Sequence, residues 1–169
     1  LGVLRTGRRV AIQISPMGIV PAYFRRSADV ELEITRVSSN LAGMKLIIAI
    51  DRLDSCTGIA YKLLAFERFL ELHPEHLARV IFVLVVRDMF MTTQTHLRQL
   101  SLKINEMVGR ITGRFGTSSY CPIRYIRHSV SHKHLVALYT MADVMLVTSA
   151  REGFNACALE FAVCQQAPV

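Results

Sequence analysis

Val144–Glu160 reads VMLVTSAREGFNACALE: an apolar run, a polar loop bearing one glycine, then residues that favour a helix. Val144 to Thr148 has the character of a fully buried parallel strand, and Ala156 to Gln165 carries Ala, Leu, Glu and Gln, which are good helix formers. Such a junction points the unpaired N–H groups of the helix's first turn outward, and the helix dipole adds partial positive charge. An anion such as a diphosphate is stabilised there. Gly153 lets the backbone approach that anion. Glu160 lies four residues after Ala156, on the face of the first turn, where it can reach a sugar hydroxyl beside a diphosphate. The combination suggests a nucleotide-sugar site, although one glycine-bearing junction does not by itself set such a site apart from the many that bind nothing.

Outward from this stretch the same unit recurs. Met44–Ile50 runs apolar into Asp51-Arg52-Leu53-Asp54, so a buried strand delivers two carboxylates and an arginine to its C-terminal end, where ligands sit in open α/β sheets. Ile59, Leu63, Phe66 and Leu70 then recur at helical spacing until His73-Pro74 stops them. Val80–Val86 reads as a second buried strand. It is followed by a helix from about Thr93 to Arg110, marked by Leu97, Leu100, Ile104 and Met107 or Val108, with Gly113 beyond its end. A short strand, Ile123–Ile126, follows Pro122, and Ser131 can cap a helix whose apolar face is Leu135, Leu138 and Tyr139. Near the start, Val10–Ile14 alternates as a strand until Pro16-Met17-Gly18, and Asp29–Leu41 reads as an ambiguous helix ended by Gly43. This rhythm predicts an α/β fold with a doubly wound parallel sheet, its strands Leu46–Ile50, Val80–Val86, Ile123–Ile126 and Val144–Val147 being parallel neighbours. Arg52, Arg87 and Glu152 should then share one sheet edge.

Composition narrows the class. At 169 residues, 51% of them hydrophobic, the chain has room for one domain with a sizeable core. Leu46–Ile50 and Val80–Val86 are the longest apolar runs, far short of the roughly 18 to 20 residues of a membrane span. The chain starts with Leu rather than Met and stops just after a helix, so it reads as a piece of a longer protein. Cys56, Cys121, Cys157 and Cys164 form no Cys-x-x-Cys pair, which points to core thiols in a reducing, cytoplasmic compartment. The net charge of +7 comes mostly from arginine, but only Arg5, Arg8 and Arg9, with Arg25 and Arg26, cluster locally. No aromatic residues interleave with them, so a solvated basic surface is expected rather than a nucleic-acid partner. His132 and His134 have strand-like metal spacing but sit at a helix start, where no acidic or cysteine partner is expected nearby, and read as solvent-exposed histidines rather than zinc ligands. Cys157 reads as packing. Asp54 reads as a loop-ordering acceptor rather than half of a hydrolytic carboxylate pair with Asp51.

Four separated segments carry a resemblance. Arg52-Leu53-Asp54-Ser55-Cys56-Thr57-Gly58, His73-Pro74-Glu75, Asn105 to Ile111 with Gly113 and Phe115-Gly116, and Arg151-Glu152-Gly153-Phe154-Asn155 with Glu160 are similar, in order and interval, to the trehalose-6-phosphate synthases, glycosyltransferase family 20. Arg8-Arg9-Val10 through Pro16-Met17-Gly18-Ile19 resembles the segment in which that family passes from its first domain to its second. The resemblance implies a GT-B architecture, this chain supplying most of the Rossmann-like C-terminal half. Residues 1–43 would be a crossover segment from an N-terminal domain, and 44–169 a nucleotide-sugar-binding domain truncated at its C-terminus. It also implies retaining transfer of glucose from UDP-glucose to glucose 6-phosphate without a metal or other cofactor. By that resemblance Arg52 meets the diphosphate, with the backbone at Ala156 and Cys157, and Glu160 meets the ribose. Val130 lies near the uracil, and Gly153, Phe154 and Asn155 meet the transferred glucose. Assembly with like or unlike subunits stays open.

The departures are as specific. Thr57 stands where the family pattern has a lysine on the diphosphate, and Glu152 where it has an aspartate on a glucose hydroxyl. Met91 falls where an arginine grips the acceptor phosphate, with Arg87 as the nearest substitute, and Val20 stands where the pattern has aspartate. These changes keep a second expectation in view: a catalytically degenerate family member serving as a regulatory or structural subunit of a trehalose synthase complex. A basic nucleic-acid-binding domain is a third.

Overall fold

Every residue of the run LIIAI, Leu46–Ile50, must be covered if it forms a strand, because successive side chains point to opposite faces. The computed structural model, which describes residues 2–5, 8–41, 43–87 and 95–165, meets that demand with helices on both faces. Strand β1 (Gly2–Arg5) and strand β2 (Arg8–Ala11) form an antiparallel pair, followed by helix α1 (Ala28–Ser39). The main elements then alternate: β3 (Lys45–Arg52), α2 (Ile59–Leu72), β4 (Val80–Arg87), α3 (Thr95–Phe115), β5 (Ile123–Ile126), α4 (His132–Met141), β6 (Val144–Met145) and α5 (Ala156–Cys164).

Four of these strands make a parallel sheet in the order β5-β4-β3-β6. The chain steps outward from β3 to β4 to β5 and then returns to the far side of β3. The switch in direction lies between β3 and β6, so a crevice is expected outside their C-terminal ends. On one face Leu46, Ile48, Ile50, Ile81, Val83 and Val85 pack with Val30 and Val37 of α1 and Leu135, Leu138 and Tyr139 of α4. On the other, Ala49, Phe82, Leu84 and Val86 pack with Ile59, Leu63, Phe66 and Leu70 of α2 and Ile104, Met107 and Ile111 of α3. A doubly wound α/β sheet is therefore what the alternating runs encode. Leu41, Val37 and Val30 share the first of these cores, which ties residues 28–41 to the sheet.

Four expectations need correction. β6 pairs with β3 over only two residues, and Val144 and Val147 are 45% and 41% exposed rather than buried. It is an edge strand, and its outer side has no strand partner among the described residues. Helix α3 continues through Gly113 to Phe115, because Ile111 is buried and Arg110 and Arg114 bind Glu67 and Glu71 of α2. The early strand covers Arg8–Ala11 rather than Val10–Ile14, and Ile12, Ile14 and Met17 are exposed in irregular chain. His134 has an acidic partner after all: its Nδ1 lies 3.0 Å from Glu33 Oε2, while His132 Nε2 lies 2.7 Å from the Tyr23 carbonyl.

Candidate functional site

β3 and β4 run in strict register from Lys45 opposite Val80 to Arg52 opposite Arg87, so two exposed arginines leave the sheet side by side. Past Arg52 the chain turns at once. Asp54 caps a short helical turn, Ser55–Thr57, by accepting the Cys56 N–H at 2.9 Å. That backbone hydrogen bond, helped by Ser55 and the nearby Arg52, holds its carboxyl below the usual carboxylate range. Asp54 orders the loop, as its position in the sequence implies.

Thr57 closes the same turn. It is 7% exposed, and its hydroxyl donates to the carbonyls of Asp54 at 2.7 Å and Arg52 at 3.2 Å. The hydroxyl thus faces the loop's own backbone rather than an outside anion. Gly58 follows with φ +74°, and a Cβ on it would lie 2.7 Å from the Thr148 carbonyl oxygen. Only glycine suits both the left-handed conformation and that approach. The contact presses the β3 loop against the loop after β6, where Ala150 N–H donates to the Cys56 carbonyl at 2.8 Å. Arg52 and Gly153 accordingly belong to the same edge of the sheet.

At the far end of the β6 loop, Asn155 does two things. Its Oδ1 accepts the Ala158 N–H at 3.3 Å and caps α5, while its Nδ2 donates to Glu152 Oε2 at 2.8 Å. Capping uses one of the four N–H groups that a helix start leaves without intrahelical partners; those of Ala156 and Cys157 belong to the same set. Gly153 has open space where a Cβ would go, and Phe154 is exposed. Burial pushes the Cys157 thiol up despite its place at the helix start, with Arg87 close enough to oppose the shift and Asp51 to add to it. A packing role suits it, since its side chain lies against the core shared by Ile50 and Tyr139.

Glu160, one turn further on, accepts from the buried Tyr139 Oη at 2.7 Å. Val130 is half-buried in the segment between β5 and α4. It lines a cavity of about 220 Å³ with Glu33, Arg36, Ile126, His128 and His134. Met89, Phe90 and Met91 lie outside the described residues, and Val20 is exposed before a short helical turn at Pro21–Phe24.

Sequence reasoning missed one member of this edge. Lys62 is buried, and its Nζ donates to both Asp51 oxygens, at 2.7 and 2.6 Å. Burial pushes the Asp51 carboxyl up, while the Lys62 ammonium opposes this and the Glu152 carboxylate reinforces it. The signal was a lysine inside the apolar stripe Ile59, Leu63, Phe66 and Leu70. A buried cation there needs a partner, and Asp51 ends the buried strand. Among the described residues, no group of three or more His, Cys, Asp or Glu side chains is placed to hold a metal ion. The four cysteines are free, and no described helix is long and apolar enough to cross a membrane.

The family model described as glycosyltransferase family 20 matches residues 2–168. The chain belongs to glycosyltransferase family 20. Among its relatives, the UDP-forming alpha,alpha-trehalose-phosphate synthase of Schizosaccharomyces pombe is 39% identical over 98% of the chain and 33% of its own length. A probable UDP-forming synthase of Arabidopsis thaliana is also 39% identical, over 98% of the chain and 20% of the relative. The chain thus spans a third or less of these two relatives. Two solved structures show the same fold. The N-terminal domain of the Candida albicans trehalose-6-phosphate phosphatase matches at TM-score 0.88 and 29% identity, over 97% of this chain and 36% of that one. A Burkholderia xenovorans trehalose-phosphate synthase in complex with glucose-6-phosphate matches at TM-score 0.87 and 27% identity, over 98% and 36%. The fold is therefore the Rossmann-like half of a GT-B glycosyltransferase.

Proposed function

We propose that the chain is the donor-binding part of a retaining glucosyltransferase that makes trehalose 6-phosphate from UDP-glucose and glucose 6-phosphate. The observation that supports this reading is the exposed pair Arg52 and Arg87 at the C-terminal ends of β3 and β4, next to the switch point between β3 and β6, with β6 leading into the Asn155-capped start of α5. Positive groups fixed in advance, where charge gathers on a leaving diphosphate, stabilise the transition state without reorganising. Arg52 and the N–H groups of Ala156 and Cys157 supply them here, in place of a divalent cation. Glu160 takes the ribose, Val130 borders the uracil, and Gly153, Phe154 and Asn155 face the glucose. Glu152, tethered by Asn155, takes a glucose hydroxyl. Arg87 is the nearest cation for the acceptor phosphate, with the remaining acceptor groups supplied by another domain, and the reaction needs no cofactor.

A second reading is favoured by Thr57. With its hydroxyl committed to two loop carbonyls, the position contributes neither charge nor a free donor to the diphosphate, as suits a degenerate subunit that binds weakly or not at all. Arginines of α2 and α3 committed to Glu67 and Glu71 leave less free charge for a nucleic acid. The deciding experiment incubates the protein, at its full natural length, with UDP-glucose and glucose 6-phosphate. Formation of trehalose 6-phosphate supports the synthase reading; UDP binding without product supports the subunit. Failure to bind UDP removes the donor site altogether.

A further inference from the structure

Tyr139 is a large polar side chain held wholly inside the protein, 0% exposed, and its hydroxyl donates to Glu160 Oε2 at 2.7 Å, with the Cys157 side chain beside it. Burial, with Cys157 and Glu160 close by, pushes its phenol far up from the ordinary range. Its hydroxyl is therefore held as a donor to Glu160. The same residue grips α5 at two more points. Its ring meets Phe161 edge-on with centroids 6.5 Å apart. Its carbonyl accepts from Gln165 Nε2 at 2.7 Å, an amide that also donates to the Ala142 carbonyl at 2.9 Å. Contacts at residues 160, 161 and 165 fix both the rotation and the depth of α5.

A glutamate's last torsion is soft and roughly two-fold. An unheld carboxylate at position 160 would sample many orientations, and a pair of neighbouring hydroxyls could bind only a fraction of them. With Oε2 held by the tyrosine the range of carboxylate orientations narrows, and its remaining lone pairs, including those of Oε1, can accept further hydrogen bonds. Two adjacent hydroxyl donors suit such a carboxylate; one hydroxyl suits it less well.

We propose that Tyr139 is a positioning residue that aims Glu160 at the vicinal 2′,3′-diol of a ribose, so that the site prefers ribonucleoside over 2′-deoxyribonucleoside diphosphates. The proposal rests on the donor-site reading above and adds the specificity and the residue that enforces it.

Titrations of UDP and 2′-deoxy-UDP into the full-length protein test it, with wild type, Tyr139→Phe, Glu160→Asp and Arg52→Ala compared. Wild type is expected to favour UDP by about tenfold or more, since a hydrogen bond to a charged group is lost with the 2′-hydroxyl. Tyr139→Phe should bring the ratio close to one, chiefly by weakening UDP. Glu160→Asp, which draws the carboxylate back one methylene and leaves the buried ring in place, should do the same even if the phenylalanine variant folds poorly. A Tyr139→Phe protein that loses affinity for both nucleotides equally and keeps the ratio overturns the proposal, because a merely structural tyrosine acts that way. A wild type without preference, whose binding of both is lost in Arg52→Ala, overturns it while leaving the diphosphate site standing. A wild type that binds neither nucleotide removes the donor-site reading and this proposal together.

Discussion

Arg52 and Arg87 are the last register pair of β3 and β4, both exposed, and the residues just before them, Ile48–Asp51 and Val83–Val86, are buried. Two like charges set side by side repel one another unless an anion lies between or above them, so the pair favours anionic ligands at this edge over any other. Just inside it, Asp51 is neutralised by Lys62. The positive field of the two arginines is thereby not cancelled from within the sheet.

The two arginines should separate by substrate. Arg52→Ala is expected to weaken UDP binding by about tenfold to a hundredfold, the worth of roughly 1.5 to 3 kcal/mol for a hydrogen bond to a charged group. Arg87→Ala should leave UDP affinity closer to wild type and raise the glucose 6-phosphate concentration needed for half-maximal rate. Calorimetric titration and initial rates measure the two effects, and both should shrink as salt rises. Equal loss of both substrates in both variants would contradict the division.

Thr57→Lys should trade stability for affinity. It removes a buried hydroxyl that satisfies two carbonyls, which costs about 1 to 3 kcal/mol of folding stability. It also places an ammonium near the diphosphate, so UDP should bind about tenfold more tightly, with the gain fading at high salt. Urea denaturation and calorimetry on the same preparation check both halves. Unchanged affinity in Thr57→Lys together with a silent Arg52→Ala would favour the subunit reading.

Apolar runs buried on both faces, Leu46–Ile50 and Val80–Val86, were legible because their pattern requires helices on each side whatever the rest of the chain does. Ser131 at the start of α4 was legible for a similar reason, since its cap is local, Oγ accepting from His134 N–H. What lay beyond reach depends on distant partners. Val144 and Val147 look as apolar as Val83, yet their burial depends on whether another strand flanks β6, which no local pattern encodes. Gly113 reads as a helix end until Arg114 is seen to bind Glu67 and Glu71, 43 to 47 residues earlier by numbering. The site divides likewise: Arg52, Asp54 and Glu160 follow from strand ends and helix starts, whereas Lys62 on Asp51 and Tyr139 on Glu160 join separate elements.

Gly58→Ala should disturb both loops at once. An L-residue held at φ +74° costs roughly 1 to 2 kcal/mol, and the added Cβ would meet the Thr148 carbonyl oxygen at 2.7 Å, so backbone must move. A fall in thermal midpoint and weaker UDP binding are expected together, because Thr148 leads into the loop that ends at the α5 cap. A variant with unaltered affinity would show that the two loops move independently.

Breaking the buried ion pair gives the sharpest pH signature. Lys62→Met leaves the Asp51 carboxylate buried without its cation, at a cost of about 3 to 5 kcal/mol near neutral pH. Burial already holds this carboxyl above its ordinary range against the pull of Lys62, so removing the lysine raises the folded-state pKa further above the unfolded one. Folded protein then binds a proton that the unfolded chain does not. The variant's deficit should therefore shrink as pH falls through that raised pKa and grow as pH rises through it. Urea midpoints of wild type and Lys62→Met, compared near pH 5 and pH 8, measure this directly. The double variant Asp51→Leu/Lys62→Met, which removes both charges, should recover most of the stability at either pH and lose the dependence. A deficit that is the same at both pH values, or a double variant no better than the single one, would mean that Asp51 does not hold a buried charge.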